Sequence, residues 1–210
     1  MSTIDLIDDL LGIVPGSHLD RVRRHRSTAR DNIQRAYDAL FQPVDASQLS
    51  VLERVAIASF VAGLHRQPHL SAHYAEKLSS VEGGSVLARA VEEAIDLGTT
   101  KGPYGNYPEG PLSVENQPGL HFVVEDADRQ LLGKRLSAAF EHAHLLVFRP
   151  RDASPGAIAT LTDAGFSASA IVTLSQLVSY IAFQIRLVDG LSVLAATPAE
   201  TADTAAAVNA

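Results

Sequence analysis

The chain has 210 residues, 46% of them hydrophobic and 20% charged, with a formal net charge of −7. That length suffices to bury a real core, and the acidic balance opposes nonspecific nucleic-acid binding. There is no cysteine, which excludes disulfides, thiolate metal sites, iron–sulfur clusters and any thiolate nucleophile.

The first twelve residues, MSTIDLIDDLLG, are acidic and have no basic region ahead of an apolar stretch, so they do not read as a signal peptide. The expected location is cytoplasmic. Leu6, Ile7, Leu10 and Leu11 form one face of a short helix that Gly12 and Pro15 end. Ser17 can cap a second helix running to about residue 41. Its apolar positions (Leu19, Val22, Ile33, Tyr37, Leu40, Phe41) keep only a loose helical period. Arg21, Arg23, Arg24, Arg26 and Arg30 make a basic run without interleaved aromatics. It reads as a solvated helix face or an intersubunit ion-pair surface, not as a nucleic-acid site.

Residues 43–48 form a turn. Ser50 and Glu53 then carry the capping-box signature of a third helix, 50–64, which is apolar on nearly every side and so should be central. Pro68 suits the first turn of a fourth helix, 68–78. Gly83 and Gly84 break the chain before a fifth helix, 85–97. Residues 98–124 are rich in Gly and Pro, and a loop of that length is functional or mobile. A long amphipathic helix follows over 125–148. Ser154 and Pro155 open a short helix that Gly165 ends, and Ser167 caps a long apolar helix to about residue 191.

The apolar run 168–194 exceeds the roughly 20 residues that span a bilayer. Ser175, Gln176, Ser179, Gln184, Arg186 and Asp189 interrupt it, which fits a helix buried in protein, and no membrane association is expected. The Ala/Thr-rich tail, 197–210, is expected to be disordered. The fold class is therefore all-α, about seven to eight helices in a single domain over 1–196, with 1–48 as an N-terminal helical extension and 98–124 as a long irregular loop.

His65, His69 and His73 lie four apart, but Pro68 breaks the helix between the first two. His69, His73 and Glu76 remain as the set a metal would use. Otherwise they are histidines near a helix start, satisfied by backbone or water. His73 or His69 can also serve as a general acid/base, since imidazole titrates near neutrality. Glu53 is the nearest carboxylate candidate, although a capping-box Glu already has a partner. Arg186 lies in the most apolar helix, and a buried guanidinium needs an anion. That anion is Asp189, three residues on, or a substrate carboxylate held by the guanidinium fork, with Gln184 adding a hydrogen bond. His142 and His144, about 200° apart around a helix, do not share a face.

The stretch LSVLERVAIASFVAGLHRQPHLSAHYAEKL, 49–78, resembles the catalytic helical hairpin of the carboxymuconolactone decarboxylase and alkylhydroperoxidase superfamily. In the peroxidase branch an early Glu is followed by Cys-x-x-Cys at the next helix start and then a His. Alignment puts Gln67 and Leu70 at the cysteine positions, His69 between them, Tyr74 at the relay His and Val55 at the relay Glu. The resemblance therefore implies no thiol peroxidase centre. The decarboxylase branch carries a Leu-x-x-His pattern, matched by Leu70-Ser71-Ala72-His73, and needs no cysteine. A second stretch, 161–191, resembles the superfamily's closing segment. There an Ala-Gly-Phe-Ser turn leads into a long helix ending in a Phe-Asn-x-x-Asn-Arg-like pattern. Phe183, Gln184 and Arg186 stand near those positions, and the Asn residues are absent.

This resemblance implies an alkylhydroperoxidase-like helical domain that self-associates as a dimer, trimer or hexamer. It further implies a cofactor-independent, lyase-like enzyme acting on a small carboxylated or lactone metabolite. His73 would be the general acid/base, with His69 assisting and Glu53 a further catalytic candidate. Arg186 would anchor the substrate carboxylate, with Gln184, Gln67 and Tyr74 as further substrate contacts, and the 98–124 loop would shape or lid the pocket. Two alternatives stay open. One is a non-catalytic structural or ligand-binding member of the superfamily; the other is a metal-dependent enzyme using His69, His73 and Glu76.

Overall fold

Capping residues set most of the helix starts. Asp5 accepts from the Asp8 N–H, Ser17 from Asp20, Ser50 from Glu53, Gln67 from Leu70 and Ser154 from Ala157, each satisfying an N–H that the helix itself leaves open. In the computed structural model, which describes residues 5–197, these caps belong to an all-α fold. The helices among the described residues are α1 (Leu6–Leu10), α2 (His18–His25), α3 (Ser27–Phe41), α4 (Val51–Leu64), α5 (Pro68–Ser80), α6 (Gly84–Gly98), α7 (Asp126–Phe148), α8 (Pro155–Asp163) and α9 (Ala168–Ala196). The tail expected to be disordered lies, beyond residue 197, outside the described residues.

The described residues fall into two compact units, one of 5–35 with 186–197 and the other of 36–185. The sequence led us to expect one domain with an extension ending near the 43–48 turn. The partition instead falls within α3, and the end of α9 is grouped with the N-terminal residues.

In the first unit, the expected single helix over 17–41 is broken at Arg26 (φ −116°, ψ 55°). On an unbroken helix Arg23 and Arg30 would stand about 10.5 Å apart along the axis. With the break they converge on the same two carboxylates. Arg23 reaches Asp5 at 2.8 Å and Asp8 at 2.7 Å, and Arg30 pairs with both as well. Burial pushes the Asp8 carboxyl up, ahead of the opposing pull of Arg23. Arg24 pairs with Asp20, and Arg21 donates to the Gly16 carbonyl. Much of the basic run is thus consumed within the chain.

In the second unit α4 is central, as its composition suggested. Every residue from Arg54 to Leu64 except Gly63 is buried, and the helix packs on α5, α6 and α7. The turn into α5 has Arg66 in the left-handed region (φ 54°), followed by Gln67 as cap and Pro68 at the first helical position. Phe60 of α4 stacks on Phe140 of α7 with ring centroids 4.4 Å apart.

Two features depart from the sequence reading here. α7 is interrupted at Gly133 (φ 71°, ψ 170°). The loop after α6 lies against the core: Tyr104 donates its N–H to the Phe148 carbonyl and its hydroxyl to the Leu120 carbonyl. Phe122 and Val124 are buried. Gly119 is required at its position because a Cβ there would lie 2.1 Å from the Tyr104 ring.

α9 runs five residues past the expected end. Its most apolar 18-residue window has a mean hydropathy of 1.5 and is 39% buried. By length and composition it could cross a bilayer, and the protein covers less of it than the sequence suggested.

Candidate functional site

His73 sits on α5, one turn before Lys77, so the two side chains share a helix face. That face meets Tyr37 and Phe41, which are likewise four apart on α3. The Tyr37 hydroxyl lies 3.0 Å from His73 Nε2. Tyr37 is buried, and burial pushes its phenol up to about 12, so it stays protonated near neutral pH. The Tyr74 ring meets the imidazole edge-on, with centroids 4.9 Å apart at 74°. Lys77 Nζ lies 5.4 Å from the Tyr37 ring centre and 5.7 Å from that of Phe41, a cation–π arrangement. Burial pulls the Lys77 ammonium below its usual range. An imidazole, a neutral phenol and a desolvated ammonium are thereby gathered on one side of α5.

The other residues singled out from the sequence are placed differently. His69 is exposed in the first turn of α5, and no hydrogen bond or ring contact joins it to His73. The Glu53 carboxylate is committed, accepting from the Ser50 N–H at 2.8 Å and from Arg135 Nε at 2.8 Å. Arg186 is exposed, as is Asp189. The premise that Arg186 is a buried charge in need of an anion does not hold, because its position on α9 faces outward. Arg186 and His73 also belong to different units.

Gln67 is buried as the α5 cap, accepting from the Leu70 N–H at 2.8 Å. Tyr74 donates to Gln184 Oε1 at 2.5 Å, and Gln184 Nε2 donates to the Tyr180 hydroxyl at 3.1 Å. Both Tyr74 and Gln184 are fully buried, so these bonds are internal to the core. Among the described residues no three His, Asp or Glu side chains come together to hold a metal ion. His69, His73 and Glu76 do not form the set their spacing allowed, since His69 and Glu76 are exposed while His73 turns to Tyr37.

Tyr37, Lys77 and Arg54 were not singled out from the sequence. The usable signal was the i, i+4 spacing of Tyr37 with Phe41 and of His73 with Lys77. For Arg54 it was a single charge inside the apolar run after Glu53. Arg54 is 5% exposed. Its Nε donates to the Leu49 carbonyl at 2.9 Å and its Nη1 to the Leu40 carbonyl at 3.0 Å. It also lines an apolar groove of about 920 Å³ between α3, the 42–45 turn, the start of α4 and α9. Neither His73 nor Lys77 lines that groove.

Comparison with protein-family models, with curated proteins and with solved structures finds no match for this chain.

Proposed function

We propose that the protein is a cofactor-independent, lyase-like enzyme of the carboxymuconolactone decarboxylase-like kind, acting on a small carboxylated or lactone metabolite through His73. The observation that carries this reading is the 3.0 Å contact between the Tyr37 hydroxyl and His73 Nε2. A phenol can donate to a neutral imidazole and accept from an imidazolium, so it supports both states of a group that takes up and returns a proton. In a decarboxylation the bond to the carboxyl carbon breaks, carbon dioxide leaves and the electron pair remains as an enolate. The His73 imidazolium then supplies the proton. Lys77 takes over the carboxylate-holding role first assigned to Arg186, because it lies one turn from His73 on the same face.

The test is a panel of carboxylated lactones and β-keto acids assayed for carbon dioxide release. His73→Ala should lower kcat by about 100-fold or more, and Lys77→Met should act mainly on KM. Tyr37→Phe should shift the pH profile of kcat/KM. No turnover by the native protein, or undiminished turnover by His73→Ala, overturns the reading.

A non-catalytic, ligand-binding member of the same superfamily is the second reading. The observation in its favour is that the apolar groove lined by Arg54 does not include His73.

A further inference from the structure

We infer that the groove between α3, α4 and α9 is a binding site for an amphipathic monocarboxylate, with Arg54 as the counter-ion of its carboxylate. The inference is independent of the role proposed for His73.

Arg54 is an unusual residue to find in the floor of an apolar groove. A guanidinium carries five N–H donors and cannot discharge itself by losing a proton. Two of the donors go to main-chain carbonyls, of Leu49 and Leu40. Those acceptors satisfy hydrogen bonding but supply no negative charge. Among the described residues, the two carboxylates close enough to act on Arg54 electrostatically are Glu53 and Asp45, and neither comes within ion-pair distance. Glu53 is held by Ser50 and Arg135. Asp45, which also lines the groove, accepts from the Ser47 N–H at 2.7 Å. Burial accordingly pulls the Arg54 guanidinium down from its usual range. A cation desolvated without a paired anion is costly, and an anion arriving from solvent removes that cost.

The rest of the groove sets the ligand class. Its volume of about 920 Å³ falls within the range of small-molecule sites, about 300–1,000 Å³. Ala36 and Ala39 keep the α3 side open, and Leu40, Val44, Ile171 and Val172 provide apolar walls. Ser175, Gln176, Ser179 and Tyr180 add hydrogen-bonding groups along α9. One cation in mostly apolar walls fits an alkyl or aryl chain ending in one carboxylate. It does not fit a phosphorylated or polyanionic ligand, which needs several donors.

Isothermal titration calorimetry of the full chain with octanoate, octanol and octylamine tests this. Octanoate should bind at one site per chain, about tenfold or more tighter than octanol, as expected for a charge-assisted contact. Arg54→Gln should lose that advantage while leaving octanol binding in place. Because Arg54 is buried and its loss can impair folding, two variants at exposed groove positions accompany it. Ala39→Trp should block all three probes, and Val172→Asp should weaken octanoate more than octanol. His73→Ala should bind octanoate like the native protein, which separates this site from the catalytic proposal.

Equal binding of octanoate and octanol overturns the inference, as does preferential binding of octylamine, which would assign the groove to Asp45. Octanoate binding unchanged in both Ala39→Trp and Val172→Asp also overturns it. So does a stable dimer by light scattering that buries α9 and leaves the native protein without octanoate binding.

Discussion

Tyr74 and Gln184 are each fully buried, and their 2.5 Å hydrogen bond engages the phenol donor. Burial raises the Tyr74 pKa well above its ordinary value, so the donor is permanent over the working pH range. Tyr74→Phe keeps the ring packing and removes that donor, leaving Gln184 Oε1 in the core without it. The expected cost is about 1–3 kcal/mol, read as a lower urea midpoint with an unchanged slope. Adding Gln184→Leu should recover part of the loss, because removing both partners is milder than stranding one. A Tyr74→Phe midpoint equal to that of the native protein would rule out this account. The same residues show what one sequence can reveal at this scale. Tyr74 and Gln184 were each named from the sequence, one by alignment and one as a polar residue in the apolar helix, but their partnership spans 110 positions. Arg186 was read as buried, and Arg54 was passed over. In a helix that is apolar nearly all round, periodicity carries no phase, so it cannot say which side faces neighbours. Arg186 turned out exposed and Arg54 buried.

Helix starts were the most legible feature at the scale of elements, because capping is local chemistry. Ser50 with Glu53, Pro68 in the first turn of α5, and Ser154 before Pro155 each act where their spacing placed them. Interruptions inside helices were not legible. Arg26 is not a breaker by composition, and the α2–α3 break coincides with the long-range pairing of Arg23 and Arg30 with Asp5 and Asp8. Gly133 is the second case. Its φ of 71° with ψ of 170° is a conformation that essentially only glycine adopts. A Cβ built there meets nothing within 4 Å, so Gly133→Ala isolates the backbone term from packing. The substitution should cost about 1–3 kcal/mol, measured by chemical denaturation. If Ala instead raises stability, the kink is dispensable and α7 can run straight.

Stability of the whole molecule against pH follows from groups buried in their neutral forms. His144 has no exposed surface and lies between Phe122 and Phe148, with its Nε2 2.9 Å from the Gly98 carbonyl. Burial pulls its pKa down to about 4, and burial lowers that of His142 as well. In the unfolded chain a histidine titrates near 6.5. Between about 6.5 and 4 the unfolded chain therefore binds a proton that folded His144 refuses. Stability is then level above neutrality, falls as pH drops through that window, and levels off again below about 4 as far as this group is concerned. The full drop from His144 is on the order of 3 kcal/mol, and His142 acts in the same direction. Tyr37 mirrors this at the alkaline end: a phenol at about 12 in the fold against about 10 unfolded loses stability as pH rises between those values. Denaturant midpoints at pH 7.5, 6, 5 and 4.5 for native protein and His144→Phe separate this contribution from the carboxylates. The variant should be less stable at pH 7.5, since the Gly98 carbonyl loses its partner, yet should lose less on acidification. Parallel curves for the two proteins would show that His144 is not the group whose protonation the fold resists.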